Sequence, residues 1–315
     1  MHDIWNTEII ELKGVLRGPA KIPLQMLAEQ EYDGHLSIHD DQQAQNLGFQ
    51  GAPIEGPTHY SQFDPLLHSI WGDRWFEVGC ISTHFKKVVI EGECVIAFVQ
   101  RPTKQKNITR IWAEKDSGEL VLEGTASLGP NHPTTELDRL LKSRSTPEKL
   151  VILENVKIGD RSSKSDRVKM SFQSHLGKNY PFTLAQKLKK ITESCDWYCE
   201  AINKNTPWGA AIIPFEMVNP LVRHTPDGLP SAKGPSIGLF TDLEIKLINY
   251  GVVGVRLILA IFPSALIYRE QIVQHAEVGA KKYQYLDDLL LRHPKSGNFI
   301  NTVLSKKSSA TKLIV

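Results

Sequence analysis

The chain has 315 residues, of which 23% are charged and 41% hydrophobic, and its formal net charge is +2. That length admits one large or two medium domains, and so small a net charge excludes the electrostatic field that nucleic-acid binding needs. Met1-His2-Asp3-Ile4-Trp5-Asn6 lacks the basic and apolar regions of a secretory signal, and the longest apolar stretch, 252–267, is broken by Gly254, Arg256, Pro263 and Ser264, so buried strands are expected there and not a membrane span.

In chain order, a weak N-terminal strand region leads to the most informative stretch, 32–60. Ile38-His39-Asp40-Asp41 precedes a short polar segment and a glycine-rich turn, Gly48-Phe49-Gln50-Gly51-Ala52-Pro53. A run with helical spacing follows and is expected to start after Gly51-Ala52, with Pro57 suited to its first turn and a bend or end near Pro65. Strands are expected over 88–90, 94–99, 108–113 and 120–124, the last two joined by the turn Asp116-Ser117-Gly118. Proline and a charged run mark 131–150 as a linker that holds a short helix. In the second half a helix is expected after Gly209-Ala210, with Pro214 in its first turn and Pro220 bending or ending it. Strands at 243–247 and 252–262 follow, and the polar run 305–309 is expected to fray.

The two halves share a pattern. Gly79 and Gly92 each stand 159 residues before Gly238 and Gly251, and Gly51-Ala52 lines up with Gly209-Ala210. Tandem units, 1–130 and 151–315, explain these offsets. The cysteines, Cys80, Cys94, Cys195 and Cys199, form no CxxC pair, so free thiols in a cytoplasmic protein are expected, with no metal or other cofactor.

His39 is the first catalytic candidate, because an imidazole moves protons near neutrality; the alternative is a loop histidine bonded to Asp40 or Asp41. Asp33 would orient the ring, or else serve only as a turn residue before Gly34. The backbone N–H groups of Gly51, Ala52 and Gly56, ahead of a helix, suit an oxyanion or simply cap the helix. Glu55 is an acid/base candidate or a partner of the helix dipole. His59 is a second site candidate on the first helical turns. In register with 37–41 the second half reads Cys195-Asp196-Trp197-Tyr198-Cys199, so Trp197 stands where His39 does; Glu216 and Arg223 are the polar candidates near the second helix.

Ser37-Ile38-His39-Asp40-Asp41, the run from Gly48 to Gly56, and His84-Phe85-Lys86-Lys87-Val88-Val89-Ile90-Glu91-Gly92-Glu93 resemble the MaoC-like (R)-specific enoyl-acyl hydratase/dehydratase family. The resemblance covers about 32–100. Gly34 occupies the position of the family's catalytic Asp, and Leu36-Ser37 that of its Asn-Pro pair. The resemblance implies an α+β tandem (double) hot-dog, with each antiparallel sheet wrapped around a central helix. It implies a lyase that hydrates or dehydrates an acyl thioester through an enolate, the acyl group riding on coenzyme A or a carrier protein. His39 with Asp33 or a water would move the proton. Gly51, Ala52, Glu55, Gly56, His59, Trp197 and Glu216 would line the substrate site, with one half chemical and the other shaping the pocket. Cyclisation or decarboxylation of a β-keto acid, and non-catalytic acyl binding, are the alternative functions, and a homodimer is left open.

Overall fold

The computed structural model describes residues 4–31, 36–103, 106–143, 170–202, 205–223, 236–249, 252–263 and 301–312. Strands β1 (Ile10–Leu12) and β2 (Val15–Arg17) form a hairpin turned by Lys13 and Gly14, both at positive φ. Helix α1 (Asp41–Asn46) is capped by Asp40, whose carboxylate accepts from Gln43 N at 2.9 Å. A 3-10 segment, Gly56–Phe63, runs directly into α2 (Asp64–Trp71), followed by α3 (Arg74–Val78). Then come β3 (Gly79–Phe85), β4 (Val95–Gln100), β5 (Ile108–Lys115), β6 (Leu120–Leu128) and α4 (Glu136–Ser143). The second half supplies α5 (Leu184–Leu188), α6 (Phe215–Arg223), β7 (Ser236–Asn249), β8 (Val252–Pro263) and β9 (Asn301–Lys312).

All of these strands join one antiparallel sheet in the order β1-β2-β4-β5-β6-β3-β7-β8-β9. The first-half strands wrap the Gly56–Trp71 helical run, which buries Tyr60, Phe63, Leu66 and Leu67 completely. Burying each such side chain stabilises the fold by ~1.5–3 kcal/mol. Helix α6 packs beside the Gly56–Phe63 segment, and β7 continues the sheet from β3, with His84 opposite Asp242. This is the expected α+β double hot-dog, its two sets of strands joined edge to edge. Among the described residues no helix is long and apolar enough to cross a membrane.

Several local expectations are corrected. The first helical run starts at Gly56 and not after Gly51-Ala52, because the intervening backbone is extended against 89–90. Ile54 N donates to Val89 O at 2.7 Å, and Pro53 bridges Ile90. That bridge is all that remains of the strand expected at 88–90. Gly209 likewise sits in a turn at φ +66, and α6 begins only at Phe215, after Pro214. The run 305–309, expected to fray, lies in β9, because pairing with β8 uses backbone groups whatever the side chains. The short helix expected in the linker is α4. It is docked on the sheet: Leu137 is fully buried and donates its N–H to Ser82 Oγ at 3.0 Å, while Thr135 Oγ1 donates to Glu244 Oε2 at 2.6 Å.

Candidate functional site

His39 lies in the turn before α1, held from three sides. Its N–H donates to Ser37 Oγ at 3.0 Å, its carbonyl accepts from Gln25 Nε2 at 3.1 Å, and its Nδ1 lies 2.6 Å from the Pro53 carbonyl. A carbonyl can only accept, so Nδ1 carries the proton and Nε2 keeps the lone pair. Burial pushes the His39 pKa down to about 4, with the Pro53 carbonyl opposing, so the ring is neutral at neutral pH. The ring's partner is therefore Pro53, and the neighbouring aspartates work elsewhere: Asp40 caps α1, and Asp41 Oδ1 accepts from Ala52 N at 2.8 Å. Asp33, with Gly34 and His35, lies outside the described residues.

The run from Gly51 to Gly56 is buried and closely packed except at Gly56, which is half-buried. The Ala52 and Ile54 N–H groups are bound to Asp41 and Val89, so those donors serve the fold and not an oxyanion. A Cβ on Gly51 would rest 3.5 Å from Asp41 Oδ1, and one on Gly56 would come within 2.7 Å of the Phe85 ring. Glu55 is buried, and its Oε1 accepts from Tyr180 Oη at 2.9 Å; Asn219 Nδ2 on α6 donates to that same hydroxyl at 2.8 Å. Glu55 thus ties the start of the first helical run to the second half.

His59 is 2% exposed, and its Nδ1 has no hydrogen-bond partner among the described residues. Burial, and then the positive charge of Lys187, push its pKa down to about 4. Glu216, in the first turn of α6, is 3% exposed. Lys187 Nζ stands 3.1 Å from Glu216 Oε1, an ion pair whose angles fall short of a directed hydrogen bond. Gln25, Glu55, Thr58, Lys187 and Glu216 together line one narrow cleft. Gln25 is the link to His39: its amide N–H holds the His39 carbonyl, and its Oε1 has no partner among the described residues.

Trp197 is not brought to this cleft. It sits in a short 3-10 turn, Asp196–Tyr198, with its ring edge-on to His68, Phe76 and Trp208 at 5.3, 5.9 and 5.1 Å. This is packing within the hydrophobic core, away from the cleft. Arg223 closes α6, and its side chain lies outside the described part of the structure. Gln25, Tyr180, Lys187 and Asn219 were missed by motif reading. Lys187 had a signal, since it follows Leu184 by one helical turn and shares that apolar face. Tyr180 and Gln25 had none.

No family model matches the sequence, and no curated protein does. Among solved structures, the chain is similar to an (R)-hydratase from A. caviae involved in PHA biosynthesis, at 20% identity over 38% of this chain and 98% of that one, with a TM-score of 0.28. It is similar to a MaoC domain protein from Chloroflexus aurantiacus, at 12% identity over 85% of both chains, with a TM-score of 0.38. A third is a protein of Mycobacterium tuberculosis described as having a double hot-dog fold, at 11% identity over 83% of this chain and 92% of that one, with a TM-score of 0.37. At scores this low the likenesses carry no weight in the reading of activity, which rests on the site itself.

Proposed function

We propose that this protein is an enzyme of hydratase/dehydratase type that acts on an acyl thioester, carried by coenzyme A or a carrier protein, through an enolate. The observation that carries the reading is His39: a buried, neutral imidazole whose Nδ1–H is fixed on Pro53 O at 2.6 Å, which leaves Nε2 as a base of defined direction. In the dehydration direction, His39 Nε2 takes the proton from the carbon next to the thioester carbonyl. The enolate oxygen is held by backbone N–H groups around 51–56 other than those of Ala52 and Ile54. The C3–O bond then breaks, and the hydroxyl leaves as water after receiving a proton from the imidazolium, directly or through Asp33. Glu216, in the cleft that Gln25 links to His39, accepts a hydrogen bond from the hydroxyl and orients it for departure. Glu55 and Gln25 shape the wall between the two halves.

The test is turnover of purified protein on a panel of enoyl and 3-hydroxyacyl thioesters, on coenzyme A and on a carrier protein, with β-keto acids alongside. Hydration or dehydration by wild type, lost in His39→Ala, supports the reading. Decarboxylation or cyclisation alone would move the enolate chemistry to another reaction. Thioester binding without turnover would replace the reading with that of an acyl-binding protein.

A further inference from the structure

Lys187 is a buried lysine, 5% exposed, on a helix of the second half that no motif singles out. Helix α5 is fixed by a capping box between Thr183 and Gln186, and it turns Lys187 inward beside the fully buried Leu184. The ammonium donates to Leu24 O at 3.2 Å and stands 3.1 Å from Glu216 Oε1. Neither carboxylate oxygen of Glu216 has a directed hydrogen bond among the described residues. A carboxylate buried in that condition is strongly disfavoured unless a cation compensates it. Other ionisable groups facing this pair are Glu55, in the same cleft just before the first helical run; His59 on that run, which feels the charge of Lys187; and Asp64 and, in the Asp196–Tyr198 turn, Tyr198, which feel that of Glu216. His59 is neutral at neutral pH, so Lys187 is the cation of the group.

Resting on the functional reading above, we propose that Lys187 is a positioning residue of the same site: it holds the Glu216 carboxylate in place at the substrate side of the cleft. A plain staple between α5 and α6 would require only contact. A positioning role requires the charge, and it acts through Glu216 alone.

The experiment compares Lys187→Met, Lys187→Arg, Glu216→Gln and the double variant Lys187→Met/Glu216→Gln, with folding checked by circular dichroism and turnover read against pH. In Lys187→Met, the limb of the pH profile that Glu216→Gln abolishes moves to higher pH by ~1–3 units, the usual effect of a cation at this range. Lys187→Arg restores the limb, and Lys187→Met adds no further loss in the Glu216→Gln background. A folded Lys187→Met with an unmoved limb, or a double variant whose losses simply add, would overturn the proposal. Should Lys187→Met not fold, Lys187→Gln, which keeps a donor for Leu24 O without the charge, takes its place under the same criteria. Should wild type turn over none of the thioesters, the functional reading falls by itself. Wild type, Lys187→Met and Lys187→Arg are then read by carbon-13 titration of the Glu216 carboxyl: proton uptake at higher pH without the Lys187 charge supports the proposal, and uptake at an unchanged pH overturns it.

Discussion

His84 and Asp242 meet at 2.7 Å across the β3–β7 seam, where neither side chain is more than 2% exposed. The seam has a particular register. The repeat offset of 159 places Thr83 on Asp242 and His84 on Leu243, and Thr83 pairs with Leu243 while His84 pairs with Asp242. The positions that this offset matches therefore sit crosswise around one point. All of β3 is buried in this arrangement, and Tyr60 reaches over it to donate to the Leu243 carbonyl at 2.9 Å. A fragment ending at Gly129 would leave β3 as an open edge. It is expected to be insoluble or to unfold without cooperativity in urea. A soluble fragment with a sharp, two-state transition would contradict a fold closed only by both halves.

Acid should destabilise the protein well above the usual carboxylate range. His39, His59 and His132 are each pushed down to about 4 by burial, against about 6.5 unfolded. Between those values the unfolded chain binds more protons, so stability falls as pH drops from about 6.5 to about 4. Asp64 and Glu193 act in the opposite sense: burial raises both, Asp64 to about 7, so they favour the fold as pH falls. With three histidines against these two carboxyls, the expected outcome is a urea midpoint that drops from pH 7 to pH 5. His59→Gln should make that drop shallower. A midpoint that rises towards pH 5 would contradict these assignments.

Trp197→Ala should act on stability and not on chemistry. The ring is packed among His68, Phe76 and Trp208, and the cavity left behind costs ~3–5 kcal/mol. Turnover per folded molecule should stay near wild type, measured below the lowered unfolding transition. A fully stable variant with abolished turnover would return Trp197 to the substrate site.

Gly56→Ala tests the packing at the start of the first helical run. The added methyl would fall 2.7 Å from the Phe85 ring, which is itself buried in the core. Overpacking of this kind costs ~1–3 kcal/mol. Thermal unfolding should show the loss, and the double variant Gly56→Ala/Phe85→Leu should recover part of it.

The strands were legible where side chains alternate or run apolar: 108–113 lies within β5, 120–124 within β6 and 243–247 within β7. Helix starts were less so. Gly51-Ala52 and Gly209-Ala210 look like caps, yet the chain stays non-helical for several residues until a proline fixes the first turn, at Pro57 and after Pro214. His39 was legible from its motif, but its partner was not, since a contact with the Pro53 carbonyl leaves no mark on side-chain identity. The Glu55–Tyr180–Asn219 chain and the Lys187–Glu216 pair join residues far apart in sequence. Only the fold brings them together.

The most direct test of the account is the turnover of His39→Ala against wild type on the thioester it converts best, with folding confirmed for both. Loss of the base whose direction is fixed by Pro53 should lower turnover by ~10²–10⁴-fold, the usual range for a general acid or base. Full activity in His39→Ala, with Glu216→Gln inactive, would contradict the account and place the proton-transfer group in the second half.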